Sequence, residues 1–233
     1  MNSRPQPMNT DITITVSIEK PVITGLMAHN LIDEKPGEDS TVIYMLRHGQ
    51  TDNNANGLWH GGKSGSLNQA GVKQAEKAAL ALLDAGIDIV LSSDSDRAME
   101  TAAIVAEKIS VPLAGKSPIF GDRHYGEAED LTSSEISKRY GITVANVLDH
   151  AIDKIPRAES VQLLRSRVIK ARDLICRNFL GKTVLVTSHG GFVRMFYKTF
   201  AGDVSGKFFT NCSFYSVECI RGSCHLRNEL FTQ

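Results

Sequence analysis

Val42-Ile43-Tyr44-Met45-Leu46-Arg47-His48-Gly49-Gln50-Thr51 decides how this chain is read. The first five residues are apolar without interruption, the pattern of a strand covered on both faces of a sheet. Arg47 and His48 follow at once, and Gly49 lets a backbone or a ligand approach closely. The pattern recurs late in the chain, where Val184-Leu185-Val186 leads through Thr187 to Ser188-His189-Gly190-Gly191. If the two runs are neighbouring parallel strands, their carboxyl ends open into one crevice, where open α/β sheets bind ligands. Two imidazoles and a guanidinium would meet there.

Working outward, strand and helix signals alternate from Thr41 onward, as in a mostly parallel sheet with helices on its faces. Asn68 reads as the cap of a helix running to Asp84 and stopped by Gly86; Ile87–Leu91 reads as a second strand. Ala98, Ala102, Val105 and Ile109 mark a helix ending before Pro112. Thr132-Ser133-Ser134-Glu135 is a capping box, opening a short helix closed at Gly141. Val161, Leu164, Val168, Ala171, Ile175 and Phe179 form a long amphipathic stripe. Phe192, Val193, Phe196 and Phe200 mark a last helix, and a terminal hairpin turns at Arg221-Gly222-Ser223. The expected fold class is α/β, three-layer α/β/α, over residues 41–233.

Residues 1–40 read as a separate N-terminal extension. Ile12, Ile14, Val16 and Ile18 alternate with polar residues, and an acidic linker follows at Asp33–Asp39. The extension suits an added edge strand, a pairing element for a homodimer, or a disordered arm.

The 233 residues carry 26 basic and 26 acidic side chains, so bulk charge points neither to nucleic acid nor to an anionic membrane. No apolar run reaches the roughly 18 residues of a spanning helix. Met1–Thr10 lacks the basic-then-apolar layout of a signal peptide, and the expected location is cytoplasmic. Cys176, Cys212, Cys219 and Cys224 show no paired metal spacing and read as reduced thiols; the alternative is a Cys219–Cys224 bridge across the hairpin. Asn211-Cys212-Ser213 matches a glycosylation acceptor and is taken as accidental.

The residues at the strand ends suit phosphoryl chemistry. A neutral imidazole can attack phosphorus and form a covalent phospho-enzyme. Arginine forks bind phosphate oxygens at two points and stay charged while doing so. Helix N-termini after Gly49 and Gly190 would add N–H donors. A leaving alkoxide needs a proton, which a buried carboxylic acid can supply. Asp122, Glu127 and Glu129 are the candidates in one stretch.

Arg47-His48-Gly49-Gln50-Thr51 with Asn54 resembles the signature of the histidine phosphatase superfamily, the phosphoglycerate mutase-like fold. The resemblance continues in order through Leu67–Gly71, Ser92–Ala102, Asp122–Gly126, Pro156 with Glu159-Ser160, and Ser188–Gly191. It implies that His48 is the nucleophile that becomes phosphohistidine. It also implies that Arg47, Arg97 and His189 form the phosphate pocket, with Asn54 at its edge. The acid position falls on Asp122, and no metal or other cofactor is implied. The implied activity is hydrolysis of the phosphomonoester of a small metabolite. The alternatives are a cofactor-dependent phosphoglycerate mutase, and a phospho-ligand-binding regulatory module with little turnover. The mutases carry a longer covering insertion between the acid segment and the late helix, and its absence favours hydrolysis. Three departures stand out. Asp122 replaces the usual Glu, so either its loop sits closer, or Glu127 stands in, or activity is modest. Gln50 replaces the common Glu. The loop Trp59–Ser66 lacks the usual Asp before Leu67, and its His60 reads as an exposed loop residue, with a place in the lining of the substrate pocket as the alternative.

Overall fold

The computed structural model describes residues 35–232 apart from positions 64, 144, 145, 148 and 149. The alternating stretch from Ile12 to Ile18 lies outside the described residues. The strands are β1 (Ser40–Arg47), β2 (Ile89–Ser92), β3 (Leu113–Lys116), β4 (Thr183–Ser188), β5 (Phe214–Ile220) and β6 (Ser223–Phe231). The α-helices among the described residues are α1 (Asp52–Ala55), α2 (Gln69–Ala81), α3 (Asp96–Lys108), α4 (Ser133–Tyr140), α5 (Val161–Asn178) and α6 (Gly190–Phe200).

One six-stranded sheet runs in the order β3-β2-β4-β1-β5-β6. The pairs β1–β4, β2–β4 and β2–β3 are parallel, and β5 is antiparallel to β1 and β6. The uninterrupted apolar run of β1 follows from this central place. Ile43 and Met45 pack into a core with Leu164 and Val168 of α5 and Phe192 and Phe196 of α6. Val42, Tyr44 and Leu46 pack on the other face against Ala75 and Ala79 of α2 and Ala102 and Val105 of α3. Helices therefore cover both faces, which is the expected three-layer α/β/α arrangement. Each of the Val, Ile, Leu, Met and Phe side chains among them contributes about 1.5–3 kcal/mol on burial.

Three local expectations need correction. Helix α2 ends at Ala81 rather than Asp84, and a turn closed by Gly86 (φ +63°) completes the connection. Strand β2 begins at Ile89, two residues later than expected. Strand β3 had no counterpart in the sequence reading, because Leu113-Ala114-Gly115-Lys116 is a half-covered edge segment without alternation or β-branched residues. The thiol reading is also corrected. Arg221 and Gly222 both adopt positive φ (48° and 87°), the tight two-residue turn of a hairpin. That turn puts Cys219 directly opposite Cys224, and the two form a disulfide. Cys176 and Cys212 are the free cysteines among the described residues.

The loop leaving β1 is pressed against the start of α2. Asn68 caps that helix by accepting from the Gly71 N–H at 2.9 Å. A Cβ on Gly49 would lie 2.5 Å from the Gly71 carbonyl oxygen, and one on Gly71 would collide with the Gln50 carbonyl oxygen. Gly71→Ala is therefore expected to cost about 1–3 kcal/mol of stability, as overpacking does. Because the strained partner is the backbone beside His48, activity should fall too. Denaturant melts paired with initial rates check both effects.

Candidate active site

The sheet order makes the site. Arg47 of β1 stands beside Ser188 of β4, and the His48 N–H donates to the Ser188 carbonyl at 2.9 Å. The next residue of each strand is a histidine, so the rings of His48 and His189 lie 5.1 Å apart, edge to face. The end of β2 joins them: the Ser93 N–H donates to the Thr187 carbonyl at 2.9 Å. His189 Nε2 lies 2.9 Å from Ser93 Oγ and 3.2 Å from Ser95 Oγ. Ser95 opens α3, whose first turn delivers Arg97 into the same cluster.

His48 Nδ1 lies 2.7 Å from the Gly49 carbonyl oxygen. A carbonyl can only accept, so Nδ1 carries the proton and the lone pair sits on Nε2. Burial, then the charges of Arg47 and Arg97, hold His48 well below the usual histidine range. Burial does the same to His189, aided by His48 and Arg97. Both rings are accordingly neutral near neutral pH, the state in which an imidazole is nucleophilic.

Asp122 sits inside the cluster, with Oδ2 3.5 Å from Arg97 Nη2 and 3.8 Å from His189 Nδ1. Burial outweighs the opposing pull of Arg97 and pushes its carboxyl up to about 6. Glu127 lies elsewhere: its carboxylate reaches Arg139 at 3.5 Å and Arg157 at 3.6 Å. Glu129 is turned to the Tyr125 N–H, which donates to its Oε1 at 3.1 Å, so of the three acids in this stretch Asp122 is the one beside the imidazoles.

Arg47 Nη1 donates to the Phe209 carbonyl at 2.7 Å. Arg97 is fully buried and donates from Nη1 to the Lys63 carbonyl (2.6 Å) and from Nη2 to the Gly61 carbonyl (2.9 Å). It thus pins the 61–63 loop over the site as well as facing Asp122. Asn54 closes the capping box of α1 with Thr51, and its Oδ1 accepts from Asn211 Nδ2 at 3.1 Å. Nε of Arg47 and Arg97, and Nδ1 of His60 and His189, are buried in this region without a hydrogen-bond partner among the described residues. Unpaired buried donors cost about 1–3 kcal/mol each and mark a place where a ligand supplies the acceptors.

Two side chains stand where their first sequence readings do not put them. His60 is buried, 6 % exposed, rather than an exposed loop residue, because Arg97 draws the following carbonyls inward. Asn211 is held inside, donating to the His48 carbonyl at 3.0 Å and to Asn54. Neither carries a local signal, since both act through backbone far away in sequence.

A cavity of about 320 Å³ opens onto the cluster; Arg47, His48, Asn54, His60 and Asp122 line it. Its further walls are apolar and aromatic, from Leu58, Trp59, Tyr125, Val147, Phe208 and Phe209, with Arg194 as an added cation. Trp59 and Tyr125 meet edge to face at 4.8 Å. His189 and Arg97 stand behind this lining rather than in it. Among the described residues no helix is long and apolar enough to cross a membrane.

The family model of the histidine phosphatase superfamily (branch 1) matches residues 43–229. A metal-independent phosphoserine phosphatase of Arabidopsis thaliana is 32% identical over 168 residues, 71% of this chain and 71% of that protein. A 2,3-bisphosphoglycerate-dependent phosphoglycerate mutase of Methylocella silvestris is 28% identical over 162 residues, 66% of this chain and 78% of that protein. Among solved structures, a phosphoglycerate mutase from Bacillus anthracis superposes with a TM-score of 0.71 at 24% identity, covering 82% of this chain and 94% of that one.

Proposed function

The chain belongs to the histidine phosphatase superfamily and is a phosphoric monoester hydrolase; we propose that it works through a phosphohistidine on His48. The observation that carries this reading is the tautomer of His48. Its Nδ1 proton is spent on the Gly49 carbonyl, which leaves Nε2 as a lone-pair nucleophile in a cavity shared with Arg47 and Asp122. A phosphate entering there meets Arg47 and Asn54 at the lining and the unpaired donors of Arg97 and His189 behind it. His48 Nε2 attacks phosphorus in line while Asp122, protonated, gives its proton to the leaving oxygen. The Asp122 carboxylate left behind takes a proton from water, which attacks the phosphohistidine and releases inorganic phosphate. The guanidinium groups and His189 carry the charge stabilisation, so turnover is expected to persist in EDTA.

The walls beyond the phosphate fit apolar or aryl leaving groups. Asp122 is the only carboxylate lining the cavity among the described residues, and nothing else there matches an ammonium such as that of phosphoserine. In a panel of phosphomonoesters, kcat/KM should be higher for aryl and bulky apolar esters than for phosphoserine, with a difference of about tenfold or more. Incubation of 3-phosphoglycerate with trace 2,3-bisphosphoglycerate should give free phosphate rather than 2-phosphoglycerate. Formation of 2-phosphoglycerate would establish the mutase reading. Phosphate binding without turnover across pH 4–8 would establish the regulatory module.

The division into an extension, 1–40, and a catalytic domain, 41–233, belongs to the same reading. So does homodimer formation through the extension, which sedimentation with and without residues 1–40 tests. A cytoplasmic location is also proposed. The Cys219–Cys224 pair weighs against it, since disulfides persist in oxidising compartments, and thiol labelling in a fresh extract decides.

A further inference from the structure

The acid of this site is one methylene shorter than a glutamate, so its reach must come from the placement of its backbone. Residues 121–125 form no helix or strand, and no ladder of hydrogen bonds holds them. The hold comes instead from Arg167, on α5. Nη1 donates to the carbonyls of Ile119 (3.1 Å) and Gly121 (2.7 Å), and Nη2 donates to the carbonyl of Asp122 itself (3.1 Å). The guanidinium is locked in turn by Glu159: Nε meets Oε1 at 2.9 Å and Nη2 meets Oε2 at 2.7 Å. The rest of its plane lies over the Phe192 ring, 5.3 Å from the centroid.

The far side of the loop is tied to the same residue. The Glu159 N–H donates to the His124 carbonyl at 2.7 Å. The Glu159 carbonyl accepts from Arg123 Nε (3.0 Å) and Nη2 (2.7 Å). Asp122 therefore sits between two grips that meet at Glu159, one reaching its own carbonyl and one starting at the next residue.

We propose that Arg167, oriented by Glu159, is the positioning residue for the acid Asp122, setting the distance between that carboxyl and the leaving oxygen. Arg167 does not line the cavity, so it acts on the proton transfer and not on substrate binding. This inference rests on the assignment of Asp122 as the acid, and the test separates the two.

Single-turnover rates and KM are measured for the wild type, Asp122→Asn, Arg167→Lys and Glu159→Gln on two esters. The first is 2,4-dinitrophenyl phosphate, whose leaving group departs without a proton. The second is a simple alkyl phosphate, whose leaving group needs one. Asp122→Asn should slow the alkyl ester by roughly 10²–10⁴-fold and the dinitrophenyl ester little. Arg167→Lys and Glu159→Gln should show the same split at smaller size, about tenfold or more on the alkyl ester, with KM unchanged. Asp122→Asn slowing both esters alike, or neither, overturns the acid assignment and this inference with it. A split in Asp122→Asn with an equal loss on both esters, or no loss, in the other two variants overturns the positioning role alone. If Arg167→Lys fails to fold, Glu159→Gln keeps the charge of Arg167 and loosens its orientation, and its split decides.

Discussion

His48→Ala is expected to lower kcat by roughly 10⁴–10⁶-fold on every phosphomonoester, whatever its leaving group, because it removes the atom proposed to receive the phosphoryl group. The loss should appear in kcat rather than KM, since Arg47 and the cavity walls remain in place. Stability should change far less. The side-chain hydrogen bond of His48 runs to its neighbour's carbonyl, so truncation strands no distant partner, and the packing lost is chiefly the edge-to-face contact with His189. Acid-labile, base-stable radioactive phosphate should accumulate on the quenched wild-type protein and be missing from the variant. Label persisting in His48→Ala would move the nucleophile elsewhere, with His189 the next residue to replace.

The second large effect concerns the proton. Asp122→Asn keeps the shape of the side chain and removes its ability to donate an acidic proton, with the roughly 10²–10⁴-fold cost on poor leaving groups already stated. The pH profile gives an independent check. The carboxyl is raised by burial to about 6, and it must be protonated to act. For an alkyl ester kcat/KM should therefore decline above about pH 6, by about tenfold per unit once ionisation dominates. His48 is held well below its usual range, so the limb from its protonation falls far to the acid side. The profile is then that of an acid phosphatase with a wide plateau. In Asp122→Asn the alkaline decline should vanish. A decline of unchanged position in that variant would assign the ionisation to another group.

Much of this could be read from residue order because the signals are local. An uninterrupted apolar run ending in Arg47-His48 is the mark of a covered central strand, and its recurrence before His189 identified the second wall of the site. Caps at Asn68 and Thr132 each accept the N–H three residues on, so those helix starts were legible from side-chain chemistry within one turn. Strand β3 was not legible, because an edge segment of Ala, Gly and Lys follows no burial pattern. His60 was misjudged because what buries it is Arg97, on a helix formed more than thirty residues later.

By itself, then, the sequence determined the alternation of strands and helices, the chemical groups at the strand ends, and the family. These depend on spacing, caps and burial patterns that a segment carries within itself. Only the tertiary structure decided which carboxylate lies beside the imidazoles, which buried nitrogens lack a partner among the described residues, and which cysteines pair. Asp122 and Glu127 are five positions apart in one stretch, and what separates them is the company each keeps: Arg97 and His189 for one, Arg139 and Arg157 for the other. Burial and charge at a point in space are set by every element that converges there, and no single segment encodes them.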